Sequence, residues 1–370
     1  MLLTDGWWKL PSLARSLPPL RRLAGRFHPD LRSASVISFG LATVWAEARG
    51  RMLRTRWYEH QKRMNTHFQA RCIGELRKIS RSDSPTVFSF SYAARSILAH
   101  AREHGWKTVL GQIDPGPMES ELVSGEYERL GLSPGVTTNP PAGYWDDWRA
   151  ECELADRILV NSKWSATCLA GTGISKAKIE VVPCAYQPPA AAASFIREYP
   201  NLFTAQRPLR VLFLGQTTIR KGIHLLMDAA KELRSEPVHF TVVGGGLDHP
   251  SLTVPPNVTW IGAVVREQTA GFYQQADVFV LPTLSDGFGL VQLEALAWKL
   301  PVIATSRCGD AVAHGQNGIL LEEVTASCLT RALGELLHSP AELKRMSQKA
   351  RVSEHFSLSA LAEKLLKTTA

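Results

Sequence analysis

Two acids eight residues apart, Asp286 and Glu294, bracket the segment of this 370-residue chain that is richest in usable chemistry. They belong to Leu284-Ser-Asp-Gly-Phe-Gly-Leu-Val-Gln-Leu-Glu294, which lies between an apolar strand-like run and a helical pattern. Gly287 and Gly289, around Phe288, let the backbone approach a ligand closely. The amides of the following helix N-terminus, at Leu290 and Val291, are suited to an anion such as phosphate. Carboxylates at Asp286 and Glu294 suit the neutral hydroxyls of a sugar or ribose, because they would repel the phosphate itself. A helix cap followed by an exposed glutamate would present the same residues.

A second segment, Gly215-Gln-Thr-Thr-Ile-Arg-Lys-Gly222, follows another strand-like run. Its glycines and the Arg220-Lys221 pair are suited to gripping a diphosphate, with Lys221 as the compact point charge. Gln216 lies in the same loop. The GxxxxGK[ST] pattern of a P-loop is absent. A third segment, Cys308-Gly-Asp-Ala-Val-Ala-His-Gly-Gln-Asn-Gly318, has the turn glycines of a structural loop on the same side of a sheet.

The elements that must position these loops read as alternating strands and helices. Strands are expected at Leu209–Leu214, His239–Val243, Asn257–Ile261, Asp277–Leu281 and Pro301–Ala304. Helices are expected at Gly222–Leu233, Thr269–Gln275, Leu290–Trp298 and Thr325–Leu337. This alternation implies a doubly wound parallel sheet with ligands at the carboxyl ends of its strands. The first half is less regular, with strands expected at Thr86–Phe90, Thr108–Leu110, Arg157–Val160 and Ile179–Val182. Helices are expected there at Ala93–Glu103 and Ser162–Ala170. The resulting division is an amino-terminal domain over 1–187, a connection over 188–207, a second domain over 208–354, and a closing helical segment over 355–370. The closing segment could return to the first domain.

In fixed order, these segments resemble glycosyltransferase family 4, the retaining "glycosyl transferases group 1" enzymes. The resemblance runs from about Tyr144 to Glu335 and includes Glu153-Leu-Ala-Asp-Arg-Ile-Leu-Val-Asn-Ser162 and Ala276-Asp-Val-Phe-Val-Leu-Pro282. It implies the α/β GT-B fold of two Rossmann-like domains facing a cleft. It also implies transfer of a sugar from a nucleotide diphosphate sugar to a hydroxyl acceptor, a glycan or a lipid-linked glycan in surface polysaccharide synthesis. No metal or other cofactor is expected. By resemblance, Asp286 takes the place of the first glutamate of the family's E-x7-E motif, on the donor sugar, and Glu294 that of the second, on the ribose. Gly287, Phe288 and Gly289 match the stretch beside the sugar, Leu290 and Val291 the diphosphate amides, and Lys221 the phosphate-gripping lysine. Val265 and Arg266 correspond to the loop that meets the nucleobase.

There are departures. Gln216 stands where the family has a phosphate-binding arginine, and Arg220 is the substitute at hand. Lys299 occupies a position that is generally glycine. The region of the family's acceptor-side histidine, Val109–Pro117, holds no histidine; Asp114 or Gln112 is the available replacement, or the stretch is only a proline-rich turn. No strand followed by a Gly-Gly loop is evident in the first 40 residues, so either the sequence starts downstream of that unit or the first domain lacks it. These departures keep open a non-catalytic nucleotide-sugar-binding or assembly protein derived from such an enzyme.

Charge and cysteines bound the remaining possibilities. The net +8 arises early: residues 1–81 carry 16 Lys/Arg against 5 Asp/Glu, more than the whole surplus. Trp7, Trp8, Leu10, Leu13, Leu17 and Leu20 interleave there with Arg15, Arg21 and Arg22, as an interfacial segment on an anionic membrane would. Pro11, Pro18 and Pro19 fit packing against the body equally well. Nucleic acid is not expected, because no nucleic-acid motif accompanies the charge. Six scattered cysteines without CxxC argue against a disulfide framework and fit a cytoplasmic protein, peripheral at the membrane's inner face at most.

Overall fold

A computed structural model describes residues 1–5, 31, 33–40, 57–80, 83–133, 140–247, 249 and 252–369. The chain forms two compact units: residues 1–111 with 140–156, and residues 112–139 with 157–370. The Trp7–Arg22 stretch lies outside the described residues.

The first unit begins with two three-residue strands, β1 (Leu2–Thr4) and β2 (Val36–Ser38), paired in parallel. β1 is a strand within the first 40 residues that the sequence does not signal, because three residues carry no readable alternation. It is followed by Asp5 rather than a glycine pair. A 20-residue helix, Trp57–Leu76, precedes β3 (Thr86–Phe90), and β3 pairs in parallel with β4 (Lys107–Gln112). Between them runs the helix Arg95–Glu103. Its start is capped from the helix Tyr144–Leu154: the Glu151 carboxylate accepts from the amides of Tyr92, Ala94 and Arg95 at 2.6, 2.8 and 3.1 Å. A carboxylate placed there satisfies orphan N–H groups and complements the helix dipole.

In the second unit β5 (Arg157–Val160) pairs in parallel with β6 (Ile179–Val181). The rest of the chain builds a six-stranded sheet from β7 (Leu209–Leu214), β8 (Val238–Val243), β9 (Val258–Gly262), β10 (Val278–Leu281), β11 (Val302–Ala304) and β12 (Gly318–Leu320). The strand order is β12-β11-β10-β7-β8-β9, with every pair parallel. The chain winds from β7 to one side and from β10 to the other. The β7 and β10 loops therefore flank the switch point where α/β sheets open a crevice.

Period-two alternation assigns the strand residues to two apolar layers. Leu209, Val211, Phe213, Val278 and Val280 pack with the helices Ile223–Glu232 and Ala326–Leu337. Leu212, Phe279, Leu281, Val302 and Ala304 pack with the helix Leu290–Ala297. The stretch before β7 is fastened to this body. Buried Arg197 donates to the carbonyls of Tyr273, Gln274, Ala276, Trp298 and Lys299. Lys299 has φ +56°, a left-handed conformation that favours glycine, which accounts for the residue type usual at that position.

Candidate functional site

The β7 loop has a shape that only glycine permits. Gly222 sits at φ +75°, and a Cβ there would stand 2.0 Å from the Pro282 carbonyl oxygen. The turn Ile219–Lys221 is thereby pressed onto the chain leaving β10. Arg220's carbonyl accepts from the Leu284 amide and the Thr283 hydroxyl, both at 2.9 Å. Two loops that follow different strands are welded together, and their side chains meet.

At that weld Lys221 Nζ is bonded to Asp286 Oδ2, and Arg220 Nη1 lies 3.4 Å from Asp286 Oδ1. The same Nη1 donates to the Ser285 carbonyl at 3.2 Å. Burial pulls the Asp286 carboxyl upward, but Lys221 and Arg220 outweigh it and hold the group below its ordinary value. Asp286 is therefore an anion clamped between two cations.

The backbone beside it is buried and packed too closely for any side chain at Gly287 or Gly289. A Cβ on Gly287 would lie 2.3 Å from the Ile113 carbonyl oxygen, and one on Gly289 would meet Leu281 and Gln292 at 2.7 and 2.9 Å. Phe288 is half-buried and packs over Gly309, which has φ +111°. The Gly289 amide and the Gln292 side chain both donate to the Cys308 carbonyl at 2.8 Å, tying the third glycine segment to the loop. Leu290, half-exposed, opens the helix with its amide on the Phe288 carbonyl at 3.0 Å, and Val291 follows. Glu294 is fixed by Tyr273, whose hydroxyl donates to Oε2 at 2.8 Å. Burial and that anion raise the Tyr273 phenol well above its ordinary value, so it stays a donor.

The other expected residues divide into near and far. Gly215, φ +156°, packs its carbonyl against Gly244, and Gln216 is exposed. Val265 is exposed, and Arg266 begins a short 3-10 turn. The fields of Arg266 and Glu294 converge on the Tyr186 phenol. Asp114 spends its Oδ1 on the local turn, accepting from the Gly116 amide and the Gln112 side chain, both at 2.9 Å.

Sequence reasoning missed Glu119, on the helix Pro117–Arg129. Its Oε1 stands 3.7 Å from Arg220 Nη1. Burial raises its carboxyl first, Arg220 opposes, and Asp114 and Asp286 raise it again, to about 7. Trp164 was missed too; its Nε1 donates to Ser285 Oγ at 2.9 Å. No local signal marks either residue, because their partners are distant in sequence.

With this geometry in hand, the likeness to known proteins is specific. Residues 208–339, which hold all three glycine segments, match the family Glycosyl transferases group 1. This part of the chain is similar to a group 1 glycosyltransferase domain. The D-inositol 3-phosphate glycosyltransferase of Rhodococcus erythropolis is 29% identical over 269 residues, 65% of this chain and 59% of that protein. The chain thus spans less than two thirds of that relative's length. Among solved structures, Anabaena HepE in complex with UDP has a TM-score of 0.61 at 15% identity, covering 81% of each chain. Sucrose-phosphate synthase of Thermosynechococcus elongatus has a TM-score of 0.63 at 22% identity, covering 84% of this chain and 78% of its own. These structures share the α/β glycosyltransferase fold with parallel sheets that the sequence implies.

Proposed function

We propose that this protein is a retaining glycosyltransferase that moves a sugar from a nucleotide diphosphate sugar to a hydroxyl of a glycan or lipid-linked glycan. The observation that carries the reading is the Lys221–Asp286–Arg220 cluster, set beside the glycine-built backbone of 287–289 at the switch point of the sheet. In this reading the donor's diphosphate lies against Lys221, Arg220 and the first-turn amides after Gly289. Lys221, now shared with phosphate, releases Asp286 to accept from sugar hydroxyls. Glu294, oriented by Tyr273, accepts from the ribose, and the Arg266 loop flanks the base.

In the reaction, the bond from the anomeric carbon to the diphosphate oxygen breaks. A bond to the acceptor oxygen forms on the same face, and the acceptor's proton passes to the departing diphosphate. Lys221, Arg220 and the amides stabilise the charge that develops there, with positioning supplying most of the remainder. Glu119, protonated near neutrality, lets Arg220 face the phosphates without a second full anion beside it. Work at the inner face of a membrane is part of the proposal; no helix among the described residues is long and apolar enough to cross one.

The test is incubation with a panel of UDP-, GDP- and ADP-sugars and glycan acceptors, followed by nucleotide release and the anomeric configuration of the product. UDP is the first nucleotide to try, because the Anabaena neighbour holds it. Turnover with retention, lost in Lys221→Ala and Glu294→Gln, is expected. Tight UDP binding without turnover on any pair would replace the enzyme with a binding or assembly protein.

A further inference from the structure

The carboxyl end of the helix Arg95–Glu103, in the first unit, carries chelating chemistry that the donor reading leaves unused. His100, Glu103 and His104 stand at i, i+3 and i+4, spacings that share one face of a helix. One potential ligand atom from each side chain lies within 4.8 Å of the others. The two imidazole rings are 4.3 Å apart between centroids.

Two details set this group apart from chance neighbours. His104 Nδ1 donates to the His100 carbonyl at 2.8 Å, which leaves Nε2 as the basic nitrogen of that ring. A backbone hydrogen bond of this kind is how metal-bound histidines are held in one tautomer and orientation. His100 is only 8% exposed, and its Nε2 is buried with no hydrogen-bond partner. An unsatisfied buried polar atom is costly, and an ion would satisfy it. Trp106 packs on both rings at 6.0 and 5.2 Å, walling the apolar side. Glu103 is exposed, so the group opens from a buried imidazole to solvent, and its charge offsets the Arg77 field that reaches His100.

We propose that His100, Glu103 and His104 bind a divalent transition-metal ion of the Zn2+ class, with water completing the coordination. Two imidazoles and one carboxylate suit Zn2+ over the oxygen-seeking Mg2+ and Ca2+. The ion ties His104, which closes the helix, back to the helix's last turn beside Trp106. It is independent of the donor site and of any catalytic step.

The experiment uses the untagged full chain, stripped with chelator, and titrates it with Zn2+ by calorimetry and with Co2+ by visible absorption. His104→Ala is the working variant, because His104 is only partly buried and its loss leaves the helix core in place. The expected result is one fewer equivalent of Zn2+ and loss of the Co2+ bands in His104→Ala. Affinity about 10-fold or more weaker in Glu103→Gln is also expected, as is a Zn2+-dependent rise in melting temperature in wild type alone. Equal Zn2+ stoichiometry in wild type and His104→Ala, or no Zn2+ binding by wild type, overturns the proposal. Turnover plays no part in the readout, so it stands or falls separately from the transferase reading.

Discussion

Asp286 and Glu119 are two partly buried acids that meet one guanidinium, and their environments push them in opposite directions. Asp286 has both Lys221 and Arg220 within reach and stays ionised below its ordinary range. Glu119 has Arg220 alone, at 3.7 Å, and faces two other carboxylates, so burial prevails and its carboxyl rises to about 7. Desolvation penalises both equally in kind; the number and distance of cations decides the outcome. Pairs of acids separated in this way are the arrangement from which enzymes assign a permanent anion and a neutral partner in one site.

The contrast breaks most severely at Lys221. In Lys221→Ala the Asp286 carboxyl loses its nearer cation. Turnover measured by nucleotide release is expected to fall by about 10²–10³, the loss typical of one stabilising group on a developing anion. Urea melts should show a loss of roughly 1–3 kcal/mol. Adding Asp286→Asn should restore the melt but not the turnover. Activity retained within a factor of about 3 in Lys221→Ala would remove the lysine from the reaction.

At the other pole, Glu119→Gln sharpens the comparison through pH. A carboxyl raised in the fold from 4.5 to about 7 binds its proton more tightly folded than unfolded. Its contribution to stability is therefore full below pH 4.5 and is lost as pH rises through 7. Wild type should lose on the order of 3 kcal/mol relative to Glu119→Gln between pH 4.5 and pH 8. Parallel stability–pH curves for the two proteins would show that Glu119 titrates normally.

Glu294 is a third case, an acid held by a neutral donor rather than a cation. Tyr273→Phe removes that donor, about 1 kcal/mol, so UDP affinity by calorimetry should weaken about fivefold. Unchanged affinity would mean that Glu294 needs no orientation. The smallest effect is expected of Trp164→Phe. It deletes one hydrogen bond to Ser285 behind the cluster and should cost no more than about 1 kcal/mol in a melt, with UDP binding unaltered.

How much of this was legible follows from how local each signal is. The strands of the second unit read clearly, because runs such as Val278-Phe-Val-Leu281 are buried on both faces and uniformly apolar. The glycine–acid segment stood out because its glycines and acids lie within eleven consecutive residues. The helix Trp57–Leu76 was missed, since its polar and apolar residues alternate with little one-sided segregation. The helix Pro117–Arg129 was missed behind its own proline, which is a helix-starting residue as well as a turn residue. Gly318–Leu320, a three-residue edge strand, was not anticipated; only Gly318 was assigned, as the last residue of the preceding loop segment.

The sequence by itself determined the alternation of strands and helices, the places where glycine had to stand, and the order of the motif residues along the chain. These depend on near neighbours and on backbone freedom, which a linear string records. Only the tertiary structure decided that Lys221 and Arg220 share Asp286, and that Tyr273 holds Glu294. It also decided that Glu119 enters the cluster with a carboxyl near 7. Charge state depends on distance and burial, and both are set when loops from strands far apart in the chain are folded against one another.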